Sequence, residues 1–196
     1  MVSPIELLWA FIGLILTIGG TFLEAFVTGV PVNLMATEPN FPVHSLGVTC
    51  QIAAVLIVGC LGGKNAGAMS QIAYLTLGLT WLHIFTHGGG PNYLFRPTFG
   101  YLLGFIPGAW LCGWMAFRLS RKLENLATSC LSGLATIHLT GISYLVTVHF
   151  LDKSSLGLGR LGELIFAYSI VDLPGQLALV CAVTVIAYIF RHIMFY

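Results

Sequence analysis

Long apolar runs broken by short polar punctuation dominate this 196-residue chain. A helix needs about 17–25 mostly apolar residues to cross a bilayer. Six segments fit, at roughly 5–27, 45–62, 68–86, 99–118, 127–150 and 172–192. The first opens on Ser3-Pro4-Ile5-Glu6, the spacing of a capping box with proline at the first helical position. The breaks between runs are "GVPVNLMATEPNFPVH", "GGKNAG", the stretch that starts "HGGGPNYLFRP", "RLSRKLEN" and "LDKSSLGLGRLGE". The pattern predicts an all-α integral membrane protein, with one six-helix domain over residues 1–196.

Composition agrees. The chain is 57% hydrophobic and only 8% charged, with a mean hydropathy of +0.92, whereas soluble domains carry about 25% charged residues. A net charge of +1, from 8 basic and 7 acidic residues, gives nucleic acid no footing. No basic stretch precedes the first run, which therefore reads as a retained helix and not a cleaved signal. An even number of spans puts both termini on one side. If that side is cytoplasmic, Lys64, Arg118, Arg121, Lys122 and Arg191 lie inside and Arg96, Lys153 and Arg160 outside. That is the positive-inside bias, and "RLSRK" carries most of it. The expected location is the cell (plasma) membrane, as a multi-pass protein.

The breaks assigned to the outside are the longer and more polar ones. Irregular backbone at membrane depth persists only where protein buries it or where it lines a cavity. Residues 87–105 therefore read as part of an outward-facing binding cavity. Arg96 precedes Pro97 at a helix start, where guanidinium and backbone N–H groups both favour a carboxylate; the alternative is an interfacial arginine reaching for headgroups. Asp172, within "AYSIVDLPG", is an intramembrane carboxylate and so a functional candidate; capping the helix that Pro174 helps begin is its other reading. Asn92 can both donate and accept, as a ring urea or amide requires, or can simply turn the chain. Gly88, Gly89 and Gly90 allow close approach and positive φ.

Other groups are weaker. His83 and His87 stand four apart on one helical face, but no carboxylate or cysteine accompanies them nearby, and no metal site is expected. The five cysteines show no CxxC or other metal spacing and read as small core residues. Glu24 reads as an interfacial or loop-anchoring residue. GxSxG, HExxH and the nucleotide-binding GxxxxGK[ST] are absent from the sequence. The chain is expected to be no enzyme and to carry no cofactor, and uphill transport would need energy from another subunit or an ion gradient.

The run "PVHSLGVTCQIAAVLIVGCLGGKNAGAMSQIAYLTLGLTWLHIF", the following "GGGPNYLFRPTFGYLLGFIPG", and "VDLPG" near the last helix resemble the BioY family. These are the substrate-capture (S) components of energy-coupling-factor (ECF) biotin transporters. The resemblance covers roughly residues 42–108 plus the last motif, and includes Gln51 and the "GGKNAG" turn. It implies six helices, with biotin held from outside beneath the first and third outer loops. It implies as partners a transmembrane coupling (T) protein and two ATPase subunits. Carried over by position, Asn92, Arg96, Tyr101 and Asp172 would line the pocket, with Gly89 and Gly90 in the loop against the ligand. A stripe of small residues on the first helix, Gly13, Thr17 and Thr21, would meet the coupling protein. The sequence departs from the family where a lysine is usual: Gly175 stands there, followed by Gln176. Arg96 or Arg160 would then substitute, or the ligand would differ. His83 stands where the family usually has proline. The alternatives are the same fold serving another vitamin, and a structural membrane subunit without transport.

Overall fold

Ser3 starts the first helix as its sequence predicts. Its hydroxyl accepts from the Glu6 N–H at 3.2 Å, and the Glu6 carboxylate accepts from the Ser3 N–H at 2.8 Å. The computed structural model describes residues 3–28, 43–80, 82–86, 88–151 and 158–194. Helix α1 spans Pro4–Phe22 and is followed by strand β1, Glu24–Thr28. Strand β2, Val43–Thr49, pairs with it antiparallel, with an irregularity between Glu24 and Phe26. Helix α2 covers Gln51–Thr80, and a 3-10 turn, Pro91–Phe95, leads into α3, Phe99–Arg118. Then come α4, Leu123–Leu151, a short α5, Leu158–Ile165, a π-turn, Phe166–Val171, and α6, Leu173–Ile193.

Among the described residues five helices are long and apolar enough to cross a membrane: α1, α2, α3, α4 and the continuous stretch Gly159–Ile193. Their outward surfaces are apolar. On α1, Ile5, Leu8, Phe11 and Ile15 are all more than half exposed, the arrangement hydrocarbon solvent demands and water opposes.

Helix α2 is continuous in residue range but not in direction. Gly63 has φ 81° and ψ 179°, a backbone conformation that essentially only glycine adopts. The arms on either side, 51–62 and 64–80, lie beside one another. Gln51 Nε2 donates to the Tyr74 hydroxyl at 2.9 Å, and Gly59 and Gly67 both press on Ala109. "GGKNAG" thus turns the chain as expected, within a helical reversal and not a loop.

Three predicted boundaries need correction. Residues 5–27 are not one helix: α1 ends at Phe22, and Phe26-Val27-Thr28, β-branched and aromatic, extend as a strand. Residues 45–49 of the predicted second helix belong to the partner strand, and the helix starts only at Gln51. The helix expected over 68–86 ends at Thr80, because Phe85 folds back and packs its ring on Gly78. By contrast α3 matches its predicted range. The break "LDKSSLGLGRLGE" was expected to be a loop, but its end, from Leu158, is helical as α5.

Small residues set the packing. A Cβ on Gly113 would stand 2.5 Å from the Lys64 nitrogen, and one on Gly104 2.8 Å from the Ile137 carbonyl. Backbones therefore approach directly between α2, α3 and α4, as small residues permit in membrane bundles.

Candidate binding cavity

Tyr74 organises one end of the bundle. It is fully buried, and its hydroxyl takes the Gln51 amide, lies 3.1 Å from the Thr21 hydroxyl, and donates to the Ile84 carbonyl at 3.1 Å. This knot ties α1, both arms of α2 and the segment after α2 together. Phe85 stacks edge-on against Tyr74 at 5.3 Å, and Tyr93 lies 4.7 Å from Phe85. The aromatic series carries the 3-10 turn onto the bundle.

Beside this wall is a cavity of about 260 Å³. Strand β2 and the start of α2 contribute Gly47, Val48, Thr49 and Gln51; the 3-10 turn and α3 contribute Tyr93, Tyr101 and Phe105. Tyr101 and Phe105 stand four apart and so share one helical face. From α4 comes His138, and from the π-turn and α6 come Tyr168, Asp172 and Gln176. The β-hairpin backbone is irregular structure at the end of the bundle, and it lines a cavity, as expected of such backbone.

The polar groups of the cavity are partly tied and partly open. His138 Nε2 donates to the Gln176 side-chain oxygen at 2.6 Å, and His138 Nδ1 is buried without a partner. The Tyr101 hydroxyl is 2.7 Å from the Ser169 hydroxyl, which fixes the ring against the π-turn. Asp172 is half-buried and lines the cavity, and among the described residues no hydrogen-bond donor reaches its carboxylate. An apolar slot holding an open carboxylate, an open imidazole nitrogen and two carboxamides suits a compact ligand with both N–H and C=O groups.

Tyr101 and Asp172, both expected at the site, line it. Asn92 and Arg96 do not: both are exposed on or just after the 3-10 turn. The Arg96 guanidinium sits over the ring of Tyr93, 5.7 Å from its centre, and it is Tyr93, not Arg96, that lines the cavity. Gly90 has φ 92°, and its N–H donates to the Gly78 carbonyl at 2.8 Å. Gly89 is not in the positive-φ region but is wedged on backbone, 2.7 Å from the Gly78 oxygen and 2.8 Å from the Leu82 oxygen as measured from an added Cβ. Both glycines seat the loop on α2; neither lines the cavity. His83 is exposed, and His87 lies outside the described residues. Glu24 accepts from the Ser45 hydroxyl within the β-hairpin, a strand-to-strand tie.

The stripe Gly13, Thr17 and Thr21 is buried inside the chain in this structure. Val58 and Ser70 crowd Gly13, Gln71 donates to the Thr17 hydroxyl at 3.0 Å, and Thr21 meets Tyr74. His138, Tyr168 and Gln176 escaped the sequence reading as site residues. The signal available was a lone imidazole in the middle of an apolar helix, which is an expensive choice in a membrane.

A model of the BioY family matches residues 5–195. The chain is 38% identical over 107 residues to the probable biotin transporter BioY of Lysinibacillus sphaericus, covering 54% of this chain and 55% of that protein. It is 27% identical over 188 residues to an uncharacterized 21.2 kDa protein of Cyanophora paradoxa, covering 96% and 95%. It is 31% identical over 134 residues to the biotin transporter BioY of Thermotoga maritima, covering 68% and 71%. Among solved structures it resembles the S-component for biotin from an ECF-type ABC transporter. The TM-score is 0.66 at 20% identity, over 95% of this chain and 88% of that one, which establishes a shared fold.

Proposed function

The chain belongs to the BioY family, and from that premise we propose that it captures biotin in this cavity as the S component of an ECF-type transporter. The observation that carries the reading is Asp172, an open carboxylate in an apolar slot beside the Gln51 and Gln176 amides. Biotin has a fused apolar bicycle, a urea with two N–H donors and one acceptor, and a tail ending in carboxylate. The Asp172 carboxylate accepts a ureido N–H, a carboxamide donates to the ureido oxygen, and Tyr101 and Phe105 cover the ring faces. The tail runs out past Tyr93 toward Arg96, which faces the ligand carboxylate once the loop closes over it, with Asn92 at the rim.

In this reading α2 crosses twice, once with each arm, so the helices make six passes. Several contacts support both termini sharing the Gly63 side. The Asn65 amide donates to Glu6 at 2.8 Å, and Arg191 donates to the Ala116 carbonyl at 2.7 Å. Lys64 and Arg118 gather at that same end, so it is the cytoplasmic one and the cavity opens to the outside of the plasma membrane. On the same family premise, release to the inside falls to a transmembrane coupling protein and two ATPase subunits. Calorimetric titration of purified protein with biotin tests the capture step, and biotin analogues lacking the urea should bind far more weakly. Equal binding of both, or tight binding of a different vitamin, would overturn the assignment.

A further inference from the structure

Three cysteines that sequence spacing kept apart meet at one point. Cys60 on the first arm of α2, Cys112 on α3 and Cys130 on α4 are each fully buried. The Cys60 sulfur lies 3.6 Å from that of Cys112 and 3.5 Å from that of Cys130, and all three stand within 4.8 Å of one another. All three are small core residues, as expected, and the fold brings their sulfurs together, which their spacing in the sequence did not indicate. Cys112 is also held in place: added Cβ atoms on Gly59 and Gly133 would stand 3.3 and 2.9 Å from its own Cβ.

We propose that Cys60, Cys112 and Cys130 form a trithiol site for a soft monovalent d10 cation of the Cu(I) class. Three sulfurs around one ion at about 2.3 Å stand roughly 4 Å apart, so the observed triangle needs only small side-chain adjustments to close on an ion. Sulfur ligands select soft metals, Cu(I), Zn(II) or iron–sulfur clusters. Structural zinc takes four ligands, and iron–sulfur clusters are held by four residues. Here three sulfurs converge in an apolar core, among Leu56, Leu134 and Val183. Three soft ligands without water suit a low-coordinate monocation.

Charge allows the same assignment. Binding with loss of two protons leaves Cu(I) on two thiolates and one thiol, a complex of charge −1. Arg191 is itself buried, donates to the Ala116 carbonyl one turn along α3 from Cys112, and among the described residues leaves its Nε without a partner. Its positive charge offsets the −1 of this complex; a divalent ion on three thiolates would also carry −1, so it is the count of three sulfurs that favours the low-coordinate monocation. At the Gly63 end a cavity of about 640 Å³ is lined by Leu61 and Gly113, sequence neighbours of Cys60 and Cys112, but by none of the three cysteines.

The test uses full-length, reduced protein in detergent, titrated without oxygen with Cu(I) against a coloured Cu(I) chelator. The expected result is one Cu(I) withdrawn per chain, with a thiolate-to-copper charge-transfer band. Cys130→Ser should weaken that binding by more than about 100-fold, beyond what an outer-shell change costs, while Cys50→Ser/Cys181→Ser should leave it unchanged. Thermal melting of each variant shows that it is folded. Should Cys130→Ser not fold, copper X-ray absorption on the unmutated protein still decides, since the site requires three sulfur scatterers. No stoichiometric Cu(I), nitrogen or oxygen ligation, or loss only in the Cys50/Cys181 variant overturns the proposal. Because biotin plays no part in the assay, its failure leaves the capture reading untouched.

Discussion

Replacing Asp172 by Asn separates ligand binding from stability. In the empty protein the carboxylate is half-buried and no described donor reaches it, so its charge is a net cost to the fold. With biotin bound it accepts a ureido N–H, and hydrogen bonds to charged groups are worth about 1.5–3 kcal/mol. Asn keeps the shape and one acceptor oxygen but loses the charge, so the loss lies toward the lower end, about 10-fold in affinity. Asp172→Ala removes the acceptor entirely and should approach the upper end, about 150-fold. Glu24→Gln is the control. Glu24 is tied to Ser45 in the β-hairpin, and a surface change of this kind shifts energies by about 0.5 kcal/mol or less. The assay is calorimetric titration of all three variants, paired with thermal melting of the ligand-free proteins. Asp172→Asn should bind more weakly yet melt no lower than the unmutated chain. Unchanged affinity, or a marked fall in melting temperature without ligand, would refute the role given to this carboxylate.

Three further outcomes follow from the same geometry. Tyr74→Phe removes the hydroxyl shared by Gln51, Thr21 and the Ile84 carbonyl. Leaving such buried partners unsatisfied costs about 1–3 kcal/mol, so melting temperature and biotin affinity should fall together; an affinity loss without a stability loss would contradict the knot. Arg96→Gln should weaken binding of biotin far more than binding of a biotin amide, and identical losses in competition binding would reduce Arg96 to a loop-organising residue. Gly89→Val forces a side chain against the Gly78 and Leu82 carbonyls, so the loop lifts off α2 and affinity drops while helical content by circular dichroism stays the same; wild-type binding would show that the loop's seating does not matter.

Much of this architecture was legible because lipid imposes simple rules. Apolar length located the helices, and the boundaries of α3 came out as written, since Pro97 before it and the Arg118 cluster after it are unambiguous punctuation. The β-hairpin was not legible. Apolar, β-branched residues such as Val27 and Val43 look alike in a helix and in a strand, and only pairing between distant segments decides. The reversal within α2 was visible as "GGKNAG", but its helical form depends on one backbone angle at Gly63. At the site, Asp172 stood out because a carboxylate in an apolar run is costly, and Tyr101 came from the motif resemblance. Arg96 was legible only as a charge: it is exposed and packs on Tyr93 instead of lining the cavity, a placement set by tertiary packing that the sequence does not show.

The distribution of glycine and polar residues divides the bundle into two ends with different mechanics. Toward Gly63, helices touch backbone to backbone at Gly59, Gly67, Gly108 and Gly113, and such contacts have little room to move without wholesale separation. Around the cavity, close backbone contacts at Gly20, Gly89 and Gly175 are joined by contacts through side chains: the His138–Gln176 bond, the Tyr101–Ser169 bond, and the Tyr93 ring on Phe85. Those side-chain contacts can rearrange by rotamer changes alone, and the loop between α2 and α3 is anchored through only a few bonds such as Gly90 to Gly78. A ligand that enters must displace part of this upper layer, while the lower layer holds the helix axes. In the proposed complex binding tightens the cavity end against the Gly63 end, and the α1 stripe spans both: Gly13 packs on Val58 and Ser70, while Thr21 reaches the Tyr74 knot beside the cavity. On α1 the outward apolar face is Leu8, Phe11 and Ile15, while the stripe is buried against α2.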